Sequence, residues 1–240
     1  MPKHFFFDLD KTLTPSRSMM LDQHRAIFER LCKERDVVVV SGAEVRQIHA
    51  QLPLSLNGLY YVLAQNGNHA VEKNGSAIWK EELGVAQKNA ILTFIEKIKN
   101  ELNLRVKAES DLIEDRGSQI SYSLIGHHED LEKKNAFDPE ATLRLNILKR
   151  HSTDVEKLKE NNVEVKTGGT TTLDFFSWGK NKGFNIARFI EKYGWKKDDC
   201  IYVGDALFPG GNDETVIGII PTKPVKDFRE TYEYLSSILR

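Results

Sequence analysis

The feature of this chain that most constrains its fold is the run His-Phe-Phe-Phe-Asp-Leu-Asp at residues 4–10. Consecutive apolar side chains leave neither face of a strand polar. Residues 4–8 therefore read as a strand buried on both faces, the condition found inside a parallel sheet. The run ends in Asp8 and Asp10, one residue apart. Ionised carboxylates are costly to desolvate unless they are paired or bound to a cation, so the end of this strand must present charge to something that requires it.

The rest of the chain extends the pattern. Between Ser18 and Arg35 the apolar residues Met20, Leu21, Ile27, Phe28 and Leu31 recur at helical spacing. "DVVVVSG" (36–42) is a second buried strand rich in β-branched residues. "AEVRQIHAQL" is a short helix with Val45, Ile48 and Leu52 on one face, and "YYVLAQNG" (60–67) is a third strand closed by the Asn66-Gly67 turn. This β-α-β-α-β order predicts a parallel sheet with helices on both sides. It resumes late in the chain with a helix over 181–193 (Phe184, Ala187 and Ile190 inward), the strand "CIYVGD", and a terminal helix carrying Phe228, Tyr232, Leu235 and Leu239.

The middle has another grammar. A helix from about Val85 to Leu102 precedes two short strands around Gly117. Asp138-Pro139 then caps a long helical region that breaks near His151-Ser152, and "NVEVKTGG" and "TTLDFFS" are strands again. Strands in adjacent pairs, with helices between the pairs, predict an antiparallel sheet covered on one face. The expected fold is α/β: a Rossmann-like, doubly wound parallel-sheet core over residues 1–82 and 178–240, with an inserted α+β cap domain over 83–177.

The balance of 34 basic and 35 acidic residues among 240 gives no field that would draw nucleic acid or an anionic membrane. No apolar run nears the ~20 residues of a bilayer span, and the N-terminus enters a strand almost directly, unlike a signal peptide. These features predict a cytoplasmic protein without nucleic-acid or membrane partners, and leave monomer and homodimer equally open. Cys32 and Cys200, far apart and outside any CxxC pattern, read as reduced core residues.

In an open parallel sheet, ligands bind beyond the carboxyl ends of the strands. Asp8 and Asp10 fall just past the first strand, Ser41 and Gly42 past the second, and Asp205 past "CIYVG", with Asn212 and Asp213 in the loop behind it. Lys182 opens a helix. Carboxylates converging without His or Cys suit a hard, oxygen-seeking cation, Mg²⁺ first. A carboxylate beside such a cation and a lysine can attack phosphorus and form an aspartyl-phosphate. Each piece also has a plainer reading. Two aspartates and a threonine can simply shape a turn, a lysine at a helix start is usually solvated, and a Gly-Gly-Asn-Asp loop can be simple punctuation. The phenylalanine runs read as core, and His127-His128 lacks further ligands spaced for Zn²⁺.

Four stretches taken in order carry a resemblance. "DLDKT", "VVVVSG", "NKGFNI" and "VGDALFPGGND" are similar to the four motifs of the haloacid-dehalogenase-like (HAD) phosphotransferases. The position of the insertion resembles the large α+β caps of the Cof-like branch. Within it, "FFFDLDKTLTP", "GDALFPGGND" and "EDRGSQISYSLIGHHE" look most like segments of eukaryotic-type phosphomannomutases. The resemblance implies Asp8 as nucleophile and Asp10 as general acid/base that also lends its carbonyl to Mg²⁺. Thr12 would orient that loop, Ser41 and Gly42 would bind the phosphoryl group, and Lys182 would take the third-motif role, with Lys180 as the competing assignment. Asp205, Asp213 and Asn212 would complete the metal shell around Asp8 and Asp10.

For the cap the resemblance implies substrate contacts by Arg116, His127, Thr172 and Asp174. Several positions depart from the mutases: Ser41 and Lys11 stand where glycine is usual, His127 stands in place of an arginine, and Lys133 or Lys134 stands where another arginine is expected. A phosphate clamp built from arginines favours mutase chemistry, and here it looks thinned. The expected function is therefore a Mg²⁺-dependent phosphatase acting on a small phosphorylated sugar or related metabolite, with phosphomannomutase as the alternative and a catalytically silent binding module as a third reading. The cap is expected to close over the core on hinges near Glu81-Glu82 and Ser177–Gly179.

Overall fold

The computed structural model describes residues 2–239. It divides into two compact units, one of residues 1–80 and 180–240 and one of residues 81–179.

The first unit is built on a seven-stranded sheet. Its strands are β1 (His4–Asp8), β2 (Asp36–Val40), β3 (Tyr61–Ala64), β4 (His69–Val71), β5 (Ala77–Lys80), β10 (Cys200–Gly204) and β11 (Thr222–Pro224). They lie in the order β11-β10-β1-β2-β3-β4-β5. The first five in that order run parallel, whereas β3-β4 and β4-β5 are antiparallel. The helices are α1 (Asp22–Glu34), α2 (Val45–Gln51), α7 (Lys182–Tyr193) and α8 (Phe228–Ile238).

The phenylalanine run explains the two-sided cover. Phe5 and Phe7 point into a core with Phe28 of α1, Ile48 of α2 and Tyr232 and Leu235 of α8. Phe6 points the other way, into a second core with Ile186, Phe189 and Ile190 of α7. All three rings are fully buried, each contributing on the order of 2 kcal/mol from area removed from water. The inward face of α7 corrects the sequence expectation: Phe184 is exposed and Ala187 only half-buried, while Ile186 and Phe189 face the sheet. Ile190 is buried as expected; the other two positions are misplaced because Lys182 and Asn185 are themselves buried polar residues on the inner face.

Other boundaries also moved. The third strand stops at Ala64, since Gln65–Gly67 form a 3₁₀ turn. The first helix begins at Asp22, not Ser18. The β4-β5 hairpin and the short edge strand β11 had no clear sequence signal, being three or four residues each.

The second unit contains α3 (Val85–Leu102), β6 (Ile113–Asp115), β7 (Gln119–Ser123), α4 (Leu131–Phe137), α5 (Thr142–Arg150), α6 (Ser152–Glu160), β8 (Val163–Gly168) and β9 (Thr172–Ser177). Its four strands form an antiparallel sheet in the order β6-β7-β9-β8. Ile120, Tyr122, Leu173, Phe175 and Val163 line one face and pack with Ile91, Phe94, Ile95 and Ile98 of α3, Ile147 of α5 and Leu158 of α6. The helical region after Asp138 starts at Thr142, later than the Asp-Pro signal, yet the Asp138 carboxylate still accepts from the backbone N–H groups of Leu143 and Arg144. It breaks at His151, between α5 and α6.

Candidate active site

Register brings the first unit's chemistry together. Phe7 pairs with Val39 of β2 and Val203 of β10, and Asp8 with Val40. Asp8, Ser41 and Asp205 therefore leave three neighbouring parallel strands within about one residue of the same level, at their carboxyl ends. After β1 the chain turns tightly: the carbonyl of Leu9 accepts from the N–H groups of Thr12, Leu13 and Thr14. Lys11 sits in this turn at φ 62°, a left-handed conformation that glycine adopts freely and most side chains avoid. That accounts for glycine being usual there in the resembling family. Thr14 donates to Gln51 at the end of α2, and Tyr232 of α8 donates to the carbonyl of Leu13, so the turn is held from both sides.

Lys182 is the centre of the site. Its ammonium is 1% exposed, lies 2.6 Å from Asp8 Oδ1 and 2.7 Å from Asp213 Oδ1, and is fixed at the first residue of α7. Lys180 is placed elsewhere, its ammonium 4.4 Å from the ring centre of exposed Phe184. Asn181 caps α7 by accepting from the N–H of Phe184. Tyr202 of β10 donates to Asp213 Oδ1 at 2.7 Å, and the Ala206 N–H reaches Asp213 Oδ2 at 3.3 Å. Thr12 Oγ1 accepts from the N–H of Asp205 at 3.1 Å, linking the first and last motifs.

Carboxylate oxygens of Asp8, Asp205 and Asp213 lie within 4.8 Å of one another. Burial pushes the Asp8 carboxyl well above the usual range, Asp213 and Asp205 add to that, and Lys182 opposes it. Burial and then Asp213 push Asp205 up to about 6. Burial alone would lower the Lys182 ammonium, but Asp213 and Asp8 outweigh it and hold the group above the ordinary lysine range. One lysine thus faces three close carboxylates, which leaves negative charge to be compensated. A donor set of oxygens alone, without nitrogen or sulfur, fits a hard divalent cation.

The remaining expected residues are placed less closely. The Asp10 carboxylate accepts from the Arg17 N–H. Ser41 is buried, and its hydroxyl accepts from the Ala43 N–H at 3.1 Å, so the turn after β2 is shaped by the serine side chain. Asn212, next to Asp213 in the loop, is exposed. Sequence reasoning missed Tyr202. Its signal was available, because a tyrosine inside a buried strand needs a partner for its hydroxyl.

In the second unit, pairing aligns Glu114, Ser121, Asp174 and Lys166 in one row across the sheet, on the face opposite the apolar core. Ser121 donates to Asp174 at 2.6 Å. Arg116, nearly buried, donates from Nε and Nη2 to Glu114 at 3.0 and 2.5 Å. His127 is buried, with Nε2 3.1 Å from the Ser121 carbonyl and Nδ1 3.6 Å from Glu114. The Thr172 hydroxyl is committed to the carbonyl of Gly168 at 2.7 Å. Lys134 is buried and donates to the carbonyl of His127, whereas Lys133 is exposed beside Glu129. Arg144 was not singled out from the sequence. It is fully buried and bonds the side chain and carbonyl of Asp138 and the carbonyls of Gly168 and Thr172.

The fold and the acidic cluster around Lys182 define a class: the family of haloacid dehalogenase-like hydrolases, whose profile matches residues 5–214, and the chain belongs to it. Among curated relatives, the phosphomannomutase of Dendrobium officinale is 29% identical over 91% of this chain and 88% of its own length. That of Saccharomyces cerevisiae is 28% identical over 86% and 82%. Among solved structures, an IMP-bound IMP-nucleotidase of Plasmodium falciparum superposes with a TM-score of 0.74 at 17% identity, covering 99% of this chain and 68% of that one. The SMU.1108c protein of Streptococcus mutans gives 0.68 at 15% identity, covering 100% and 99%. The structural likenesses speak for the fold. Among the described residues no helix is long and apolar enough to cross a membrane.

Proposed function

We propose that this protein is a divalent-metal-dependent phosphotransferase, with Mg²⁺ as the metal, that works through an aspartyl-phosphate and hydrolyses a small phosphorylated sugar or related metabolite. The observation that carries this reading is the placement of the Lys182 ammonium 2.6 Å from Asp8 and 2.7 Å from Asp213, inside the cluster of three acids. Asp8 is the nucleophile: its Oδ attacks phosphorus as the bond from phosphorus to the substrate oxygen breaks. Asp10 protonates the departing oxygen and then takes a proton from the water that cleaves the acyl phosphate. Lys182 holds Asp8 in register and offsets charge on the phosphoryl oxygens. Thr12 keeps the Asp10 turn against Asp205, and Ser41 and Gly42 supply the phosphate cradle. Asp8, Asp205 and Asp213, with the carbonyl of Asp10 and with Asn212, would hold the cation, which supplies electrostatic stabilisation of the transferring group.

We assign discrimination between substrates to Arg116, His127, Thr172 and Asp174 of the second unit. Hydrolysis is preferred over phosphomannomutase activity because Arg116 is bonded to Glu114 and the other positions where the resemblance leads one to expect arginine hold His127 and either Lys133 or Lys134. The mutase reading is supported by the two curated relatives named above, at 29% and 28% identity. Incubation with mannose-1-phosphate, Mg²⁺ and a bisphosphorylated activator separates the two. Hydrolysis gives free phosphate, and rapid mannose-6-phosphate without phosphate release overturns it. A chain that turns over no phosphate ester in a broad panel yet binds one metabolite tightly would be the silent module.

A further inference from the structure

The loop between β3 and β4 carries strain that the proposed chemistry does not use directly. Gln65, Asn66 and Gly67 take φ of 52°, 59° and 87° in succession. Such left-handed conformations disfavour non-glycine residues and persist only where surroundings enforce them. The loop lies against the second motif, since Asn66 N–H donates to the carbonyl of Ser41 at 2.8 Å and Gln65 N–H to that of Ala43 at 3.0 Å. On its other side it meets α7. A Cβ on Gly67 would stand 2.4 Å from the Cβ of Asn185, so the closeness of the two segments requires the glycine.

Asn185 is fully buried, three residues after Lys182. Its Nδ2 lies 2.9 Å from the carbonyl of Asn66, 3.2 Å from Asn68 Oδ1 and 3.2 Å from the carbonyl of Lys180. Asn68, also buried, donates to the carbonyls of Gln65 and Lys180 at 2.9 Å each. The backbone two residues before Lys182 is therefore gripped by two side-chain amides, both anchored on the strained loop that shoulders Ser41.

We infer that Asn185, with Asn68, is a positioning residue that locks the start of α7 to the loop after β3 and so sets the place of the Lys182 ammonium against Asp8. A lysine side chain has four rotatable bonds, and its placement is only as sharp as its backbone anchor. A shift of ~1 Å in such a group can lower a rate on the order of 100-fold.

This inference rests on the phosphotransfer reading, and the test separates the two. In metal-free protein labelled with ¹⁵N, the buried, hydrogen-bonded Lys182 ammonium should give a slowly exchanging Nζ resonance, identified by its loss in Lys182→Met. Asn185→Leu, alike in branching but without donors, should shift or broaden that resonance, and so should Asn68→Ala should the leucine variant not fold. With para-nitrophenyl phosphate and Mg²⁺, Asn185→Leu should lower kcat 10- to 100-fold with KM changed less than threefold. It should lower kcat no further in a Lys182→Met background, where the group it positions is gone. An unmoved Nζ resonance, or losses that multiply in the double variant, overturns the positioning role. A wild-type protein that hydrolyses no phosphate ester while the resonance responds as described overturns the phosphotransfer reading and leaves the positioning role standing.

Discussion

Lys182 reaches Asp8 across 174 residues of sequence, and the two meet at 2.6 Å in a place that water barely enters. The pair is not a simple buried salt bridge, because Asp213 accepts from the same ammonium and Asp205 stands beside both acids. Breaking a buried pair from one side usually costs ~3–5 kcal/mol, since the surviving charge loses its partner. Here three acids would be left facing one another.

Lys182→Met should therefore lower both stability and turnover, and added Mg²⁺ should restore a larger share of the stability than it does in wild type. Thermal melting with and without the cation measures the first, and phosphate release the second. Asp8→Asn should behave differently: turnover falls at least 1,000-fold while the melting temperature of the metal-free protein holds or rises, because one of the repelling charges is gone. Retained turnover would remove Asp8 from the nucleophile role.

The same cluster predicts a pH dependence. In the folded chain burial and Asp213 raise Asp205 to about 6 from an ordinary 3.8, and burial also holds Asp8 well above the usual carboxylate range. An acid whose folded-state value is raised favours folding in its protonated form. Its contribution is complete below the unfolded value near 4 and is lost as pH rises through about 6. Without metal, unfolding free energy should drop between pH 4.5 and 7 more in wild type than in Asp205→Asn, by at most ~3 kcal/mol, as read from denaturant melts. Saturating Mg²⁺ should cancel it. Equal slopes for the two proteins would contradict the coupling.

The doubly wound core could be read from Phe5–Phe7 and Val37–Val40 because a strand buried on both faces has no other home. The acids at the strand ends could be read for the same reason: charge next to such a run needs a purpose. What stayed hidden is long-range and polar. Nothing local to Tyr202 names Asp213 as its acceptor, nothing near Asn185 points to Asn66 and Asn68, and Arg144 looks like a surface helix residue until Asp138 and the Gly168–Thr172 turn close around it. The misplacement of Phe184 and Ala187 on α7 has the same origin. Periodicity counts apolar residues, and the inner face of that helix begins with a lysine and an asparagine.

Gly183 shows how close that helix must come. A Cβ there would sit 1.9 Å from the backbone carbonyl oxygen of Thr215, and the Gly183 N–H donates to the Thr215 hydroxyl at 3.2 Å. Backbone cannot yield as a flexible side chain can. Gly183→Ala should push α7 away from the turn that carries Asp213, costing about 2–4 kcal/mol in stability and lowering turnover at least 10-fold. Denaturant melts and phosphate-release assays on the same preparation check both, and a fully active, fully stable alanine variant would show that the helix tolerates the shift.

In the second unit the corresponding test is Arg144. Its guanidinium is fully buried, pairs with Asp138 at 2.9 Å and also holds the carbonyls of Asp138, Gly168 and Thr172. Asp138 in turn caps the start of α5, so one side chain joins a helix start to the turn that precedes β9. Arg144→Met removes five donors at once and strands a buried carboxylate, which should destabilise this unit by ~3–5 kcal/mol. The double variant Arg144→Met, Asp138→Asn should recover part of that loss, because an amide can stay buried uncharged while still accepting from the α5 backbone. Hydrogen exchange followed by mass spectrometry localises the effect: protection should fall in residues 138–177 and persist in β1, β2 and β10. If protection instead falls throughout the protein, the two units unfold as one, and Arg144 matters to the acid cluster through global stability.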